Sequence, residues 1–137
     1  MSAKTVLIVE DDLVSSKVAA YKLKAAGYEV LTAGDGEEAV KLARERKPDL
    51  ALLDLGLPNQ GSTDAAGWDG FKVLGWLQRL YHDAPIPIII VSARDAEENR
   101  AKALAAGAVD YLQKPVKNEQ LLAAVRAALD KPTSPAS

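Results

Sequence analysis

The stretch Ile86-Pro-Ile-Ile-Ile-Val91 is the plainest β-strand in the sequence, and it decides the class of fold. The residues after its proline are continuously apolar and β-branched, a pattern typical of a strand that is buried on both faces. Parallel sheets with helices on both sides contain such strands, whereas a sheet with one face in water shows alternating apolar and polar residues. The run therefore favours an α/β fold built on a parallel sheet.

Apolar strands and helical patterns alternate on both sides of this stretch. The other strands are predicted at Thr5 to Val9, Tyr28 to Ala33, Leu50 to Leu53 and Val109 to Leu112. Helices are predicted at Leu13 to Ala26, Asp35 to Arg46, Asp69 to Tyr81, Asp95 to Ala106 and Asn118 to Asp130. This alternation implies right-handed crossovers, and it predicts a doubly wound, five-stranded parallel sheet covered by helices on both faces.

Local signals support the predicted helices. Asp35 with Glu38, and Asp95 with Glu98, form capping-box pairs at two helix starts. The first helix carries an apolar face made of Val14, Val18, Tyr21 and Ala25. The third helix is apolar over a broad face that includes Val73, Trp76 and Leu80, which we interpret as core rather than as a partner surface.

Composition sets limits on function. The chain has 137 residues, 48% of them hydrophobic, which fits a single domain over residues 1–130. Residues 131–137 are rich in Pro, Ser and Thr and are expected to form a flexible C-terminal tail. The net charge of -2 argues against direct nucleic-acid binding, and the lack of cysteine excludes disulfides and thiolate metal sites. No apolar run has the length of a membrane span or a signal peptide, so we expect a cytoplasmic protein without membrane contact.

Polar residues follow four of the five predicted strands, where open parallel sheets bind ligands. The first strand is followed by Glu10, Asp11 and Asp12, and the third by Asp54. Carboxylates gathered at one edge repel each other unless a cation lies among them, and Mg²⁺ prefers oxygen ligands. Asp11 and Asp54 could bind such an ion directly, Glu10 through water, and the Gly56 carbonyl could add a backbone ligand. With a cation present, Asp54 could act as a nucleophile in phosphoryl transfer.

Two further strand ends fit the same chemistry. Lys114 can neutralise a phosphate oxygen, and the Ser92 hydroxyl can donate to a phosphoryl group. Each residue also has a purely structural interpretation: an acidic loop in which Asp12 caps the first helix, a turn after the third strand, a surface lysine and a turn serine. The joint placement at four strand ends favours the functional interpretation.

The sequence resembles the receiver domain of two-component response regulators, in particular stand-alone, chemotaxis-regulator-like receivers. The matching stretches are Val6-Leu-Ile-Val-Glu-Asp-Asp12, Pro48-Asp-Leu-Ala-Leu-Leu-Asp54 with Leu57-Pro58, Asp69-Gly70, Val91-Ser-Ala93 and Gly107-Ala-Val-Asp-Tyr-Leu-Gln-Lys-Pro115. The resemblance implies a flavodoxin-like three-layer sandwich with strand order 2-1-3-4-5.

The resemblance also implies roles for individual residues. Asp54 would be the phosphoacceptor, and Glu10 and Asp11 would be the acidic pair that holds Mg²⁺ or Mn²⁺. Lys114 would sense the phosphate. Ser92 would be the switch hydroxyl, and Tyr111 the aromatic residue that changes rotamer with it. The alternative for Tyr111 is an ordinary strand residue, half-buried with its hydroxyl in water.

A receiver of this kind would be a signalling switch rather than an enzyme, catalysing only its own phosphoryl transfer and autodephosphorylation. The donor would be a histidine kinase or a histidine phosphotransfer protein, since His82, the only histidine, lies at the far end of a helix. Phosphorylation would change affinity for an unknown output protein, and a dimer that forms on phosphorylation is compatible with the resemblance. The chain could be a complete regulator or part of a longer protein.

One departure from the usual receiver pattern is an insertion at residues 59–68, before Asp69-Gly70. This segment could cover the site, contact a partner or be a tolerated surface loop, and Trp68 is its one large apolar residue. Two other functions are less consistent with the sequence. A phosphatase with an Asp nucleophile needs a second acid two residues later, where this chain has Gly56. A module that only binds partners would not need the complete set of strand-end residues.

Overall fold

The alternating pattern predicted from the sequence is confirmed, with bounds that differ by one or two residues. The computed structural model describes residues 3–54, 70–80, 86–93 and 96–130. The strands are β1 (Thr5–Val9), β2 (Glu29–Ala33), β3 (Leu50–Leu53), β4 (Ile88–Ser92) and β5 (Asp110–Gln113). The helices are α1 (Leu13–Ala25), α2 (Gly36–Arg46), α3 (Gly70–Leu80), α4 (Ala96–Ala105) and α5 (Asn118–Asp130). Gly56, the 59–68 insertion, Asp69, Tyr81, His82, Asp95 and the 131–137 tail lie outside the described residues.

The strands form one parallel sheet in the order β2-β1-β3-β4-β5, as the resemblance implied. The last residues of β1 and β3, Val9 and Leu53, are paired across the sheet, and Leu53 pairs with Ile90 of β4. Because the strands run in the same direction and in this register, the residues that follow β1 and β3 emerge side by side at one edge. This arrangement is what places the site.

Two apolar clusters cover the two faces of the sheet, which confirms the three-layer arrangement. Alternate residues of β1 divide between them: Leu7 and Val9 belong to one cluster, Val6 and Ile8 to the other. The first cluster contains Val73, Leu74 and Leu77 of α3, with Trp76 and Leu80 packed against it. The second contains Leu121, Val125 and Ala128 of α5 together with Leu23 of α1. The interpretation of the α3 face as core is therefore confirmed.

Helix α1 does not pack on the sheet through the apolar face that its sequence pattern indicated. The face shared by Val14 and Tyr21 points to solvent, with 69% and 75% of these side chains exposed. The sheet instead contacts a face on which Ser16, Ala20 and Leu23 are buried. Small side chains at two of these positions let the helix lie close to the sheet, so the larger apolar residues are left outside.

Caps and turns follow the sequence signals where they are described. Asp12 caps α1, accepting from the Ser15 amide and hydroxyl at 3.1 and 2.7 Å. Asp35 caps α2 through the Glu38 amide at 2.8 Å, while the Glu38 carboxylate accepts from the Gly34 amide. Within the described residues, no helix is both long and apolar enough to cross a membrane.

Candidate functional site

The backbone hydrogen-bond ladder extends past the strand ends and fixes the residues of the candidate site. Glu10 N–H donates to Ala33 O at 3.0 Å, and Asp54 N–H donates to Val9 O at 3.1 Å. Lys114 N–H donates to Ser92 O at 2.8 Å. Each of these three residues comes directly after the last residue of its own strand and is held by a backbone hydrogen bond to the neighbouring strand. Rigid strands thus position the polar side chains at the edge of the sheet.

Lys114 joins the two buried carboxylates of the site. Its Nζ lies 2.7 Å from Glu10 Oε1 and 3.1 Å from Asp54 Oδ2. Both acidic side chains are only 9% exposed, and that of Lys114 is 28% exposed. Buried charges need partners of this kind because removal from water is costly. The place of Lys114 at the site was predicted from the sequence, but nothing in the sequence indicated that Glu10 would be its nearest partner.

The electrostatics of the site reflect an excess of acid over base. Burial raises the pKa of Glu10 from 4.5 to about 7; the hydrogen bond from Lys114 lowers this pKa, and the neighbouring Asp54 carboxylate raises it. Burial alone would lower the pKa of Lys114, but its contacts with Glu10 and Asp54 raise that pKa above its usual value. One ammonium group therefore compensates the clustered carboxylates only in part.

The acidic side chains are arranged so that they could hold a metal ion. Glu10, Asp11 and Asp54 each offer a carboxylate oxygen, and these oxygens lie within 4.8 Å of one another. An all-oxygen donor set with excess negative charge suits a hard divalent cation such as Mg²⁺ or Mn²⁺. Asp11 is exposed, which leaves a side open to water. Gly56, predicted as a backbone ligand, lies outside the described residues.

Ser92 and Tyr111 occupy buried positions on neighbouring strands. Ser92 is 0% exposed at the end of β4, two residues beyond Ile90, whose partner in β3 is Leu53. It therefore lies past the end of β3, one strand away from Asp54. Tyr111 in β5 is 2% exposed and belongs to the apolar cluster under α3 and α4. The half-buried alternative for Tyr111 is therefore wrong.

A cavity of about 550 Å³ opens beside the carboxylates. Asp54 and Lys114 line its polar end, and Val14, Val18 and Val116 line the apolar part between α1 and α5. As far as the described residues define it, the cavity therefore has room for a phosphate-sized group beside Asp54. The peptide bond between Lys114 and Pro115, at the rim of this cavity, is cis.

Comparison with known proteins identifies relatives of this chain. The family model for the response regulator receiver domain matches residues 6–126. The transcriptional regulatory protein KdpE of Mycobacterium tuberculosis is 37% identical over 131 residues, which cover 96% of this chain and 53% of KdpE. The chain thus spans about half the length of the curated relatives it matches.

Solved structures agree with this match. A CheY-like receiver domain from Methanospirillum hungatei superposes with a TM-score of 0.81 at 30% identity, covering 94% of this chain and 95% of that one. The receiver domain of a sensor histidine kinase from Pseudomonas aeruginosa gives a TM-score of 0.79 at 28% identity, covering 95% and 100%. That structure has a magnesium ion in its active-site cleft.

Proposed function

This chain belongs to the response regulator receiver domain family and is a receiver of two-component signalling, and from this premise we propose that Asp54 accepts the phosphoryl group. The observation that carries the proposal is the buried Asp54 carboxylate at the end of β3, contacted at 3.1 Å by Lys114 and adjacent to Glu10 and Asp11. A carboxylate in such a place is costly to keep, which favours a functional role over a turn-forming one.

The proposed reaction transfers the phosphoryl group to an oxygen of Asp54. The attacking oxygen forms the new P–O bond as the bond to the donor breaks, and the donor nitrogen or oxygen leaves with that electron pair. Lys114, already 3.1 Å from Asp54 Oδ2, can turn its ammonium to a phosphoryl oxygen. The product is an acyl phosphate on a strand that itself does not need to move.

A divalent cation fits this site, since three carboxylates offer oxygens within 4.8 Å of one another. Glu10, Asp11 and Asp54 would hold Mg²⁺ or Mn²⁺, with the carbonyl of Gly56 as a further ligand. When bound, the ion would neutralise the negative charge of the phosphoryl oxygens. In that state Lys114 would be released from Glu10, its nearest partner at 2.7 Å.

The donor is proposed to be a phosphohistidine on a histidine kinase or on a histidine phosphotransfer protein. Support comes from membership of the receiver family and from the open cavity beside Asp54. Beyond the transfer itself, the chain would catalyse only autodephosphorylation. A cytoplasmic location stays a prediction.

The readout is proposed to run through Ser92 and Tyr111. Ser92 would donate its hydroxyl to the phosphoryl group, and Tyr111 would favour its inward position as a consequence. Tyr111 is 2% exposed in the structure, and this buried position is the one that phosphorylation would stabilise. The affected surface of α4, β5 and α5 would then bind an output protein or a second phosphorylated copy.

Intact-mass measurement after incubation with acetyl phosphate tests the proposal. The wild type should gain a single phosphoryl group with Mg²⁺ or Mn²⁺ and none with a chelator. Asp54→Asn should gain none, and Asp130→Asn, a control at the exposed end of α5, should behave like the wild type. An adduct of equal size in Asp54→Asn would show that the nucleophile is a different residue.

A further inference from the structure

Two charged side chains of helix α4, Arg100 and Lys102, contact neighbouring elements of the domain. Among its described side chains, Ala103 alone is buried, and a methyl group contributes little apolar packing. On one side, Lys102 Nζ lies 4.5 Å from the centre of the Phe71 ring of α3. On the other side, Arg100 reaches β5. The position of this helix therefore depends on polar contacts more than that of α3 or α5.

Arg100 forms a fork over the outer edge of the sheet. Its Nη1 donates to Tyr111 O at 3.1 Å, and its Nη2 lies 3.3 Å from Asp110 Oδ1. The same Asp110 oxygen accepts from Tyr111 N–H at 2.8 Å. Strand β5 is an edge strand, and side chains thus take both backbone polar groups of Tyr111. We refer to Arg100 and Asp110 as the edge bridge.

The edge bridge spans the gap through which the Tyr111 ring would have to leave the core. The ring is buried in the same apolar cluster as Ala103 of α4 and Ala108 before β5. Strand β4 closes one side of β5 and the core closes the inside, so the way out lies between α4 and the outer edge of β5. That is the gap that Arg100 crosses.

We propose that Arg100 is a positioning residue that keeps Tyr111 inward by holding α4 against β5, through contacts that do not involve the carboxylates of the phosphorylation site. The planar guanidinium suits this role because it can contact a carboxylate and a carbonyl at once, whereas a lysine ammonium offers one point of charge. Arg100 is itself 52% exposed, so the bridge is weak enough to open and close.

The consequence for signalling rests on the proposed function of Asp54 and Tyr111. If a phosphoryl group favours the inward Tyr111, the edge bridge and the phosphoryl group stabilise the same state. Loss of the bridge should raise the outward population of Tyr111 about fivefold, the factor expected for one hydrogen bond to a partly exposed charge. Affinity for a phosphoryl analogue should fall by a smaller factor, because the inward state remains the major one.

Fluorine NMR on protein containing 3-fluorotyrosine tests the inference without any phosphoryl donor. Tyr111→Phe identifies the Tyr111 resonance, and a soluble gadolinium chelate reports its exposure. Arg100→Gln should increase the relaxation of that resonance by the chelate, and Arg100→Lys should give an intermediate increase. Arg126→Gln, which removes an exposed arginine from α5, serves as the charge-matched control and should change nothing.

Two outcomes overturn the inference. The first is equal Tyr111 relaxation in wild type, Arg100→Gln and Arg126→Gln, all folded by circular dichroism. The second is an increase in Arg100→Lys as large as in Arg100→Gln together with an equal rise for every tyrosine, which would indicate general loosening. Binding of beryllofluoride with Mg²⁺ is a separate test of the role of Asp54. A wild-type protein that does not bind beryllofluoride contradicts that role, while the NMR result still decides the role of Arg100.

Discussion

Glu10 is expected to make the metal-free protein less stable as the pH rises from 4.5 to 7. Its pKa is raised from 4.5 to about 7, so the folded state holds a proton that the unfolded state has released over this interval. Stability contributed by the protonated form is complete below pH 4.5 and is lost as the pH rises through about 7. At about 1.4 kcal/mol per unit of pKa, the loss approaches 3 kcal/mol.

Glu10→Gln removes this titration while keeping the size of the side chain. Lys114, whose pKa is raised partly by Glu10, affects the pH dependence of stability only at higher pH, and the pKa of Asp12 is lowered mainly by Ser15, which both proteins retain. We expect the unfolding free energy of the wild type to fall, relative to the variant, by up to about 3 kcal/mol between pH 4.5 and 8. Glu10→Gln also loses the ion pair with Lys114, so the absolute stabilities of the two proteins differ. The quantity to compare is therefore how the difference between their unfolding free energies changes with pH.

The assay is urea unfolding in the presence of a chelator at several pH values between 4.5 and 8. Glu45→Gln, at an exposed position on α2, is the matched control. Its unfolding free energy should change with pH as that of the wild type does. Saturating Mg²⁺ should reverse the wild-type decline, since metal binding requires the ionised carboxylate. Parallel curves for wild type and Glu10→Gln would refute the argument that burial of Glu10 is energetically costly.

The remaining predictions concern packing and turns, and each compares two substitutions by chemical unfolding. Leu23→Ala should cost about 2 to 5 kcal/mol and Val14→Ala less than about 0.5, because Leu23 is buried and Val14 is exposed; equal losses would contradict the described orientation of α1. Gly27→Ala and Gly107→Ala should each cost about 1 to 2 kcal/mol, since φ is +101° and +111°. The new Cβ at position 107 would meet the Gln78 amide, but this flexible end can move, so a loss at Gly107 far above that at Gly27 would show that Gln78 is fixed.

The layout of the fold and the location of the site followed from short-range patterns. A continuous β-branched run such as Ile88 to Val91 has few alternatives to a buried parallel strand, and alternation with helices then restricts the topology. The C-terminal ends of parallel strands lie at the same edge of a sheet. Glu10, Asp54 and Lys114 follow three such strands, so they lie near each other when the register aligns the strand ends. Strand order came from the resemblance and was not derivable from the pattern.

In helix α1, the periodicity of apolar residues did not predict which face is buried. Apolar residues occur around most of its circumference, so periodicity did not distinguish the face of Val14 and Tyr21 from the face of Leu23. The outcome depends on tertiary packing, in which small residues such as Ser16 permit close approach. Ion pairs are equally hard to foresee: Lys114 with Glu10, and Arg100 with Asp110, are set by side-chain reach across elements and leave no periodic signal.

Borohydride reduction of the phosphorylated protein tests whether Asp54 is the phosphoacceptor, because it converts an aspartyl phosphate to homoserine at the modified position. The protein is treated with acetyl phosphate and Mg²⁺, reduced, digested and sequenced by mass spectrometry. We expect homoserine at position 54 alone, and we expect none when a chelator replaces Mg²⁺. Homoserine at Asp11 or at any other aspartate, or hydroxynorvaline at a glutamate, with position 54 unmodified, would contradict the assignment of Asp54.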